Sequence, residues 1–408
     1  MIKKIKSEQL KVGMYVHDFN CGWLRHPFLT NSARIRDDKT LEKIIGAGIR
    51  ELYIDTDKGP DVAGAPTEKE VKREIQAEIN RIAKPAPDNI NKNNIKSVSV
   101  QEELIRAKEI KKEAKKTVQK IMEDIRLGRQ LELEKAEHVV GKMVNSIFRN
   151  KDALASLGRI KKTDEYTFFH SVGVSVLMIS FGRHLGLDPG KIKTIGTGAL
   201  LHDIGKMKVP LEILNKPGRL TEDEFSKIKE HVEHGRRILQ EYPGIDEVSI
   251  QVAAQHHERF DGSGYPKGLK GHAISKFGQM AAIADVYDAI TSDRCYHKGM
   301  LPTEALRKIF EWGEFHFNKE LVHQFIRCMG IYPVGTLVSL ESGLLGIILD
   351  RGEKSLLHPT VRIVYDMKKG RYVTPYDVDL AQPSNGGGDR VKSYESPARW
   401  KIKLENYL

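Results

Sequence analysis

The spacing of apolar residues predicts an almost wholly helical middle of the chain, from about residue 100 to 330. The clearest stripe recurs at intervals of three and four residues, which is the period of one helix face. It consists of Ile110, Ala114, Val118, Ile121 and Ile125. Thr221 and Glu224 have the spacing of a capping box and predict a helix that starts there. Within this region, the glycine-rich segment 261–271 is predicted to be a long loop.

Residues 1–56 have the pattern of a small α/β module. Two strand-like segments, 14–18 and 50–55, flank a segment with helix spacing at 37–45. Residues 57–98 contain few large apolar side chains, so we expect a partly disordered linker in which a short charged helix can form.

Short apolar runs return after Pro333, separated by turns that contain glycine, and they predict strands. The runs are 336–340, 344–349, 361–365 and 372–378. The tail beyond Gln382 is polar and glycine-rich, which predicts a loose segment. The pattern as a whole predicts a mainly α protein with a helical core at 99–332, a small N-terminal α/β module, and a short β-rich C-terminal extension at 333–408.

The formal charge of +11 raises the question of nucleic-acid binding. Much of the excess lies in 108–120 and 159–162, where it is mixed with acidic residues on helical patterns, so solvated helix faces are favoured. Zinc-finger spacing, an RNP motif and a dense arginine arm are all missing from the sequence. We therefore expect no nucleic-acid polymer as partner, although a positive field would steer a small anionic substrate.

The cysteines and the apolar segments indicate the compartment. The 3 cysteines, at positions 21, 295 and 328, form no CxxC pair, which favours a reducing environment. The N-terminus lacks the apolar segment of a signal peptide. The most apolar stretch, 172–181, is too short to cross a bilayer and is predicted to be a buried helix. We expect a cytoplasmic protein without a membrane span.

Histidines are concentrated in one part of the helical region. Nearly half of the 15 histidines fall within residues 170–257. The pair His202-Asp203 follows an apolar helix, and the pair His256-His257 closes another before the glycine-rich loop. A second His-Asp pair, at 17–18, has no histidine cluster behind it and is interpreted as structural.

Asp285 lies on the apolar segment 280–290, where an ionised carboxylate would be costly to bury without a cation or a donor network. Neutral imidazole and carboxylate together suit divalent iron, manganese or zinc. Two ions bridged by a carboxylate can share a hydroxide and orient a phosphate for in-line attack. These residue types therefore predict a metal-dependent phosphohydrolase.

Four motifs follow one another between about residues 150 and 325. They are His202-Asp-Ile-Gly-Lys206, His231 with Gly235, His256-His-Glu-Arg-Phe-Asp-Gly-Ser-Gly-Tyr-Pro266, and Asp285-Val-Tyr-Asp288 with Ser292-Asp-Arg294. Together they resemble the HD-GYP domain, a bacterial branch of the HD phosphohydrolases. Residues 1–56 are similar to a domain of undefined function that often precedes HD-GYP domains.

This resemblance implies an all-helical HD-type core that hydrolyses cyclic di-GMP and, in some members, 3'3'-cyclic GMP-AMP. It implies two divalent ions, with iron or manganese favoured and zinc, nickel, magnesium and calcium as alternatives. One ion would be held by His170, His202 and Asp285. The other would be held by His231, His256 and His257. Asp203 would bridge the two ions.

The resemblance also implies contacts to the substrate. Lys206, a catalytic residue together with Asp203, would contact the phosphate as a point charge, and Arg294 would clamp it in a bidentate manner. Asp288 would hydrogen-bond a hydroxide or a metal ligand. Loop 262–268, which includes Gly264 and Tyr265, would shape the pocket.

Two departures from the family pattern are present. Some members bind a third ion through a glutamate four residues before the first histidine. Tyr166 stands at that position here, which favours two ions. The arginine of the last motif is usually followed by proline, but here it is followed by Cys295. That difference bears on the choice of substrate.

Several alternatives stay open at this point. His234, one helical turn after His231, is interpreted as a packing or surface residue. One alternative function is that of another HD phosphohydrolase, in which the same site would act on guanosine tetraphosphate or a nucleotide monoester. Another is that of a non-catalytic sensor, which would bind the cyclic dinucleotide and pass the signal to a partner protein. A signalling partner and a homodimer are both compatible with the sequence.

Overall fold

The computed structural model describes residues 1–21, 31–83, 97–157, 166–216, 218, 220–292, 299–350, 358–382 and 388–407. The α-helices are α1 Asp38–Gly46, α2 Glu68–Ile82, α3 Val100–Arg126, α4 Leu133–Arg149, α5 Ala153–Leu157, α6 Tyr166–His184, α7 Pro189–Leu200, α8 Leu211–Leu214, α9 Glu222–Lys229, α10 His231–Gln240, α11 Glu247–Gln255, α12 Lys276–Thr291, α13 Pro302–Trp312 and α14 Lys319–Met329. The strands are β1 Ile2–Lys6, β2 Tyr15–Asp18, β3 Ala33–Arg34, β4 Glu51–Asp55, β5 Leu337–Leu340, β6 Leu344–Asp350, β7 Thr360–Asp366, β8 Arg371–Asp379 and β9 Val391–Tyr394. This distribution confirms the predicted mainly α class with small sheets towards both ends.

The first compact unit comprises residues 1–78 and 215–226. Its four strands form an antiparallel sheet in the order β1-β4-β2-β3. Helix α1 begins after Asp37, whose side chain accepts a hydrogen bond from the backbone N–H of Thr40 at 2.8 Å. The buried core of this unit contains Ile5, Leu10, Met14, Val16, Phe19, Ile35, Ile44, Ile49, Leu52 and Ile54.

Helix α2 occupies part of the segment that the sequence predicts to be a linker. It buries Val71, Ile79 and Ile82 at intervals of three to eight residues along an otherwise charged helix. Residues 84–96 lie outside the described residues, so disorder in that stretch stays a prediction.

The second compact unit comprises residues 79–214 and 227–408. Its longest helix, α3, starts after Ser99, whose hydroxyl accepts from the N–H of Glu102 at 3.2 Å. The predicted apolar stripe of α3 is buried against α4, α5 and α6. Helix α6, which contains the apolar stretch 172–181, lies in the same core. Among the described helices, none combines the length and the apolar character needed to cross a bilayer.

A buried ion pair joins the start of α3 to the end of α4. Arg149 donates through Nε and Nη2 to the two carboxylate oxygens of Glu103, both at 2.7 Å. The Glu103 side chain is fully buried, whereas the Arg149 side chain is 23% exposed. Because the paired geometry is bidentate, the arginine compensates much of the cost of burying the carboxylate.

We expect Arg149→Met to lower the free energy of unfolding by about 3 kcal/mol, because the buried Glu103 would lose its bidentate partner. It would keep only Arg106, which is 54% exposed and lies 3.7 Å away. The matched control is Lys142→Met on the same helix. Lys142 pairs with Glu113, but the two side chains are 40% and 42% exposed. Ion pairs with this exposure contribute less than about 1 kcal/mol to stability. Urea denaturation of both variants measures the difference, and equal losses would contradict the assignment.

The C-terminal part of this unit is a five-stranded antiparallel sheet in the order β8-β7-β6-β5-β9. Both faces carry apolar clusters, which explains why 344–349 is a continuous apolar run rather than an alternating one. The tail differs from the loose segment predicted after Gln382, because β9 pairs with β5 and Ile402 is buried. Apolar residues are too sparse in this tail to produce a strand pattern.

Candidate metal centre

The second unit brings the seven predicted metal ligands together from distant parts of the chain. They are His170 in α6, His202 and Asp203 after α7, His231 at the start of α10, His256 and His257 after α11, and Asp285 in α12. The ligand atoms form overlapping groups, and within each group they lie within 4.8 Å of one another. A single pocket therefore holds residues from five helices or their ends.

The ligand atoms form three overlapping groups of three. They are His170, His202 and Asp285; His231, His256 and His257; and His202, Asp203 and His256. Oδ2 of Asp203 lies 3.3 Å from Nε2 of His202, and its Oδ1 lies 3.4 Å from Nε2 of His231. The first two groups are the two sets of ligands that the resemblance implies, and the third contains Asp203 with one histidine from each of them.

Backbone carbonyl groups set the orientation of three of the imidazole rings. His202, His231 and His256 each donate through Nδ1 to the carbonyl oxygen of the residue three positions earlier. The acceptors are Ala199, Ile228 and Ala253, at 2.7, 2.6 and 2.7 Å. Because Nδ1 carries the proton, Nε2 of each ring presents a lone pair to the centre of the pocket.

His170 is oriented by a carboxylate instead. Its Nδ1 donates to Oδ2 of Asp288 at 2.7 Å, and its Nε2 lies 2.9 Å from Oδ1 of Asp285. The hydroxyl of Ser292 also lies 3.4 Å from Oδ2 of Asp288. Of the two contacts predicted for Asp288, the structure contains the one to a ligand histidine.

Burial and neighbouring charges together set the protonation of the pocket. Burial lowers the pKa of His231 to about 4, and burial followed by the charge of neighbouring imidazoles holds the pKa of His256 and of His257 well below its ordinary value. Burial alone would raise the pKa of Asp203, but a neighbouring imidazole and the Lys206 ammonium hold it well below its ordinary value. Burial alone would lower the pKa of His170, but hydrogen bonds to Asp285 and Asp288 raise it. Metal ions require neutral imidazoles and ionised carboxylates, so a cation held by His170 would have to displace a proton, whereas the directions at the other four groups favour a cation.

The pocket also contains polar atoms that need a partner. Among the described residues, Nε2 of His202 and Oδ1 of Asp203 are buried and have no hydrogen-bond partner. Leaving such atoms unsatisfied costs stability, and a cation between them would remove that cost. This set of imidazole and carboxylate donors suits a divalent transition metal. The residues therefore fit the kind of metal ion that the sequence predicts.

Lys206 and Tyr265, two of the residues predicted to contact substrate, lie beside this cluster. Nζ of Lys206 donates to Oδ2 of Asp203 at 2.6 Å. The ring of Tyr265 lies 4.7 Å from the His257 ring, centroid to centroid, and Gly264 precedes it in the same loop. Arg294 lies outside the described residues, as does the side chain of Tyr166.

Sequence reasoning missed two residues that shape the pocket. Glu258 follows the histidine pair, and its buried carboxylate holds two backbone N–H groups of the glycine-rich loop. Gly173 leaves room in α6 for the carboxylate of Asp288. A glycine inside an apolar helix is a signal of close packing, but it does not reveal the partner. His234 belongs to none of the ligand groups in the described part of the chain.

Comparisons with known proteins agree with this geometry. An HD domain model matches residues 143–321, and a model for a domain of unknown function matches residues 2–136. A cyclic di-GMP phosphodiesterase of Pseudomonas aeruginosa is 37% identical over 404 residues, which cover 99% of this chain and 94% of that protein. The chain belongs to the HD-GYP family of HD phosphohydrolases.

Two further relatives match a shorter part of the chain. A 3'3'-cGAMP-specific phosphodiesterase of Vibrio cholerae is 42% identical over 142 residues, or 35% of this chain and 33% of that protein. A cyclic di-GMP phosphodiesterase of Thermotoga maritima is 38% identical over 165 residues, or 40% of this chain and 45% of that protein. This HD-GYP chain therefore spans less than half the length of each of these two proteins.

Proposed function

We propose that this enzyme is a metal-dependent phosphodiesterase that hydrolyses cyclic di-GMP. The observation that carries the proposal is the cluster formed by five histidines and two aspartates, all of them buried except the partly exposed His257. The Pseudomonas aeruginosa relative, similar over nearly its full length, is named for this activity. The net charge of +11 would favour the approach of a substrate that has two phosphodiester groups.

We assign two metal positions to the pocket. His170, His202 and Asp285 would hold one divalent ion, and His231, His256 and His257 would hold the other. The position of Asp203 between the groups supports its role as the bridging ligand. The imidazole-rich donor set supports a divalent transition metal, and iron suits it. Manganese is proposed as well because the resemblance implies it. When bound, the two ions would supply Lewis acidity and a nucleophile at neutral pH.

The chain's own residues would position the substrate and the ligands. Lys206 extends from the short helical turn Ile204–Lys208, and its ammonium lies at the Asp203 carboxylate, where it would contact a phosphate oxygen. Asp288 would keep His170 oriented. Tyr265, which packs on His257, would shape one wall for the base or the sugar of the substrate. From the resemblance, Arg294 would clamp a phosphate.

The direct test uses the full-length protein, freed of metal and reloaded anaerobically with Fe²⁺ or with Mn²⁺. Chromatography of the products should show the loss of cyclic di-GMP and should distinguish the linear dinucleotide from mononucleotides. Guanosine tetraphosphate in parallel tests the alternative nucleotide substrate. Tight binding of cyclic di-GMP without any product in the metal-loaded protein would refute catalysis and support a sensor.

A second candidate substrate is 3'3'-cyclic GMP-AMP. The match to the cGAMP-specific relative is 42% identical over 142 residues, and the match to the Thermotoga maritima cyclic di-GMP phosphodiesterase is 38% identical over 165 residues. The ratio of kcat/KM for the two cyclic dinucleotides, measured with one metal, decides between them.

Replacing Lys206 with methionine should lower kcat by about 100- to 1,000-fold, because one preorganised positive donor to the phosphate would be lost. The metal content should be retained, since removal of a positive charge beside Asp203 does not oppose cation binding. Lys208→Met is the matched control, because Lys208 lies on the same turn and is exposed. A Lys206→Met enzyme with wild-type kcat would exclude the phosphate contact.

A further inference from the structure

The glycine-rich loop after the histidine pair, residues 258–271, is held at its base by one buried side chain. Glu258 is 1% exposed, although glutamate is seldom buried without partners. Its Oε1 accepts from the backbone N–H of Lys267 at 2.9 Å, and its Oε2 accepts from that of Leu269 at 3.0 Å. One carboxylate therefore ties the end of the loop to the residue next to His257.

The middle of the loop lies directly on the same segment. A Cβ atom on Gly264 would lie 2.3 Å from the backbone nitrogen of Arg259 and 2.5 Å from Cα of Glu258, so only glycine permits this approach. The N–H of Tyr265 donates to the carbonyl oxygen of His257 at 3.2 Å. The loop is thus folded back onto the backbone that carries the ligand pair.

The outer part of the loop is fastened to the segment between α13 and α14. The N–H of Phe260 donates to the carbonyl oxygen of His316 at 2.9 Å. Asp261 lies 3.3 Å from Nδ1 of His316, and the guanidinium of Arg259 lies 5.5 Å from the centre of the Phe317 ring. Glu258 and the hydrogen bond from Tyr265 to His257 together fix the inner side of the loop.

The loop places an aromatic ring on the least buried of the seven ligands. The side chain of His257 is 19% exposed, compared with 9% or less for the others. Within the described residues, no backbone carbonyl orients its ring as Ala199 orients that of His202. The ring of His256 lies 4.0 Å from the His257 ring on one side, and the Tyr265 ring lies 4.7 Å away with an interplanar angle of 35°. The loop therefore adds an aromatic contact to the one that the neighbouring ligand provides.

We propose that Glu258 is a positioning residue of the metal centre. By holding the loop closed, it keeps Tyr265 packed on His257 and keeps that imidazole directed at the subsite formed with His231 and His256. The inference rests on the proposed metal-dependent function. It assigns Glu258 an indirect role, in which this side chain would act through the loop and would contact neither the metal ions nor the substrate.

The test measures Mn²⁺ binding to the demetallated full-length protein by titration calorimetry and by metal analysis after equilibrium dialysis. Glu258→Gln keeps the size of the side chain but directs an NH₂ group at a backbone N–H. It should lower the affinity for one of the two ions by about 10- to 100-fold, which is the typical effect of removing a residue that supports a metal ligand. The affinity for the other ion should stay unchanged. Glu241→Gln, at an exposed carboxylate, is the control and should bind both ions normally.

A second variant keeps the test decisive if Glu258→Gln does not fold. Tyr265→Ala leaves Glu258 in place and should lower the affinity for the same ion. The double variant should bind that ion no more weakly than the single variant with the lower affinity, because both changes act through one contact. A folded Glu258→Gln protein with wild-type affinity for both ions, or a Tyr265→Ala protein with such affinity, overturns the inference. A wild-type protein that fails to bind two ions would instead refute the proposed function.

Discussion

Replacing Asp203 with asparagine should lower the kcat for cyclic dinucleotide hydrolysis by at least about a thousandfold, as expected for a member of a catalytic unit. Asp203 is the side chain whose two oxygens face both ligand groups, at 3.3 Å from His202 and 3.4 Å from His231. Asparagine keeps the shape but loses the negative charge and one acceptor. Steady-state kinetics with Mn²⁺ and metal analysis measure the effect.

The chain contains its own control for this change, a second His-Asp pair in the N-terminal unit. Asp18→Asn should leave kcat unchanged, since Asp18 lies in β2 of the N-terminal unit. Oδ1 of Asp18 accepts from the backbone N–H of Asn20 at 2.9 Å, and an asparagine oxygen can do the same. Circular dichroism should show both variants folded. An Asp203→Asn protein within tenfold of wild-type kcat would remove the bridging role.

The second large effect is expected from Gly173→Ala in α6. A Cβ atom there would lie 2.2 Å from Oδ1 of Asp288 and 2.9 Å from its Cγ. Asp288 cannot yield easily, because its other oxygen accepts from His170. The carboxylate would be displaced, His170 would lose its orientation, and metal affinity should fall by about 10- to 100-fold. Overpacking should also lower the free energy of unfolding by about 1–3 kcal/mol.

Calorimetric Mn²⁺ titration and urea denaturation separate the two consequences of Gly173→Ala. Gly141→Ala in α4 is the control, because a Cβ there meets nothing within 4 Å and should be neutral or stabilising by up to about 1 kcal/mol. Asp288→Ala should reproduce the loss of metal affinity without the steric clash. Normal metal affinity in Gly173→Ala would show that Asp288 does not orient His170.

Much of the secondary structure could be predicted because local periodicity reports which side of an element is buried. The stripe on α3 and the apolar runs of β5 to β8 lie where the pattern places them. Strand β1 was not predicted, since Ile5 is its only fully buried residue and the segment does not alternate. The predicted helix after Thr221 is divided in the structure into α9 and α10, because His231 opens a new helix there.

The chemical types in the metal cluster and the family can be predicted from the chain, because histidine, aspartate and glycine recur in an ordered series of short motifs. The packing of the helices sets which imidazole nitrogen faces the centre, which carboxylate orients His170, and what holds the glycine-rich loop closed. His170 and Asp288 are separated by 118 positions, and Gly173 acquires its role only when α12 packs against α6. The periodicity of a segment indicates which of its sides is buried. Contacts between distant segments depend on how the helices pack, and local periodicity does not indicate that packing.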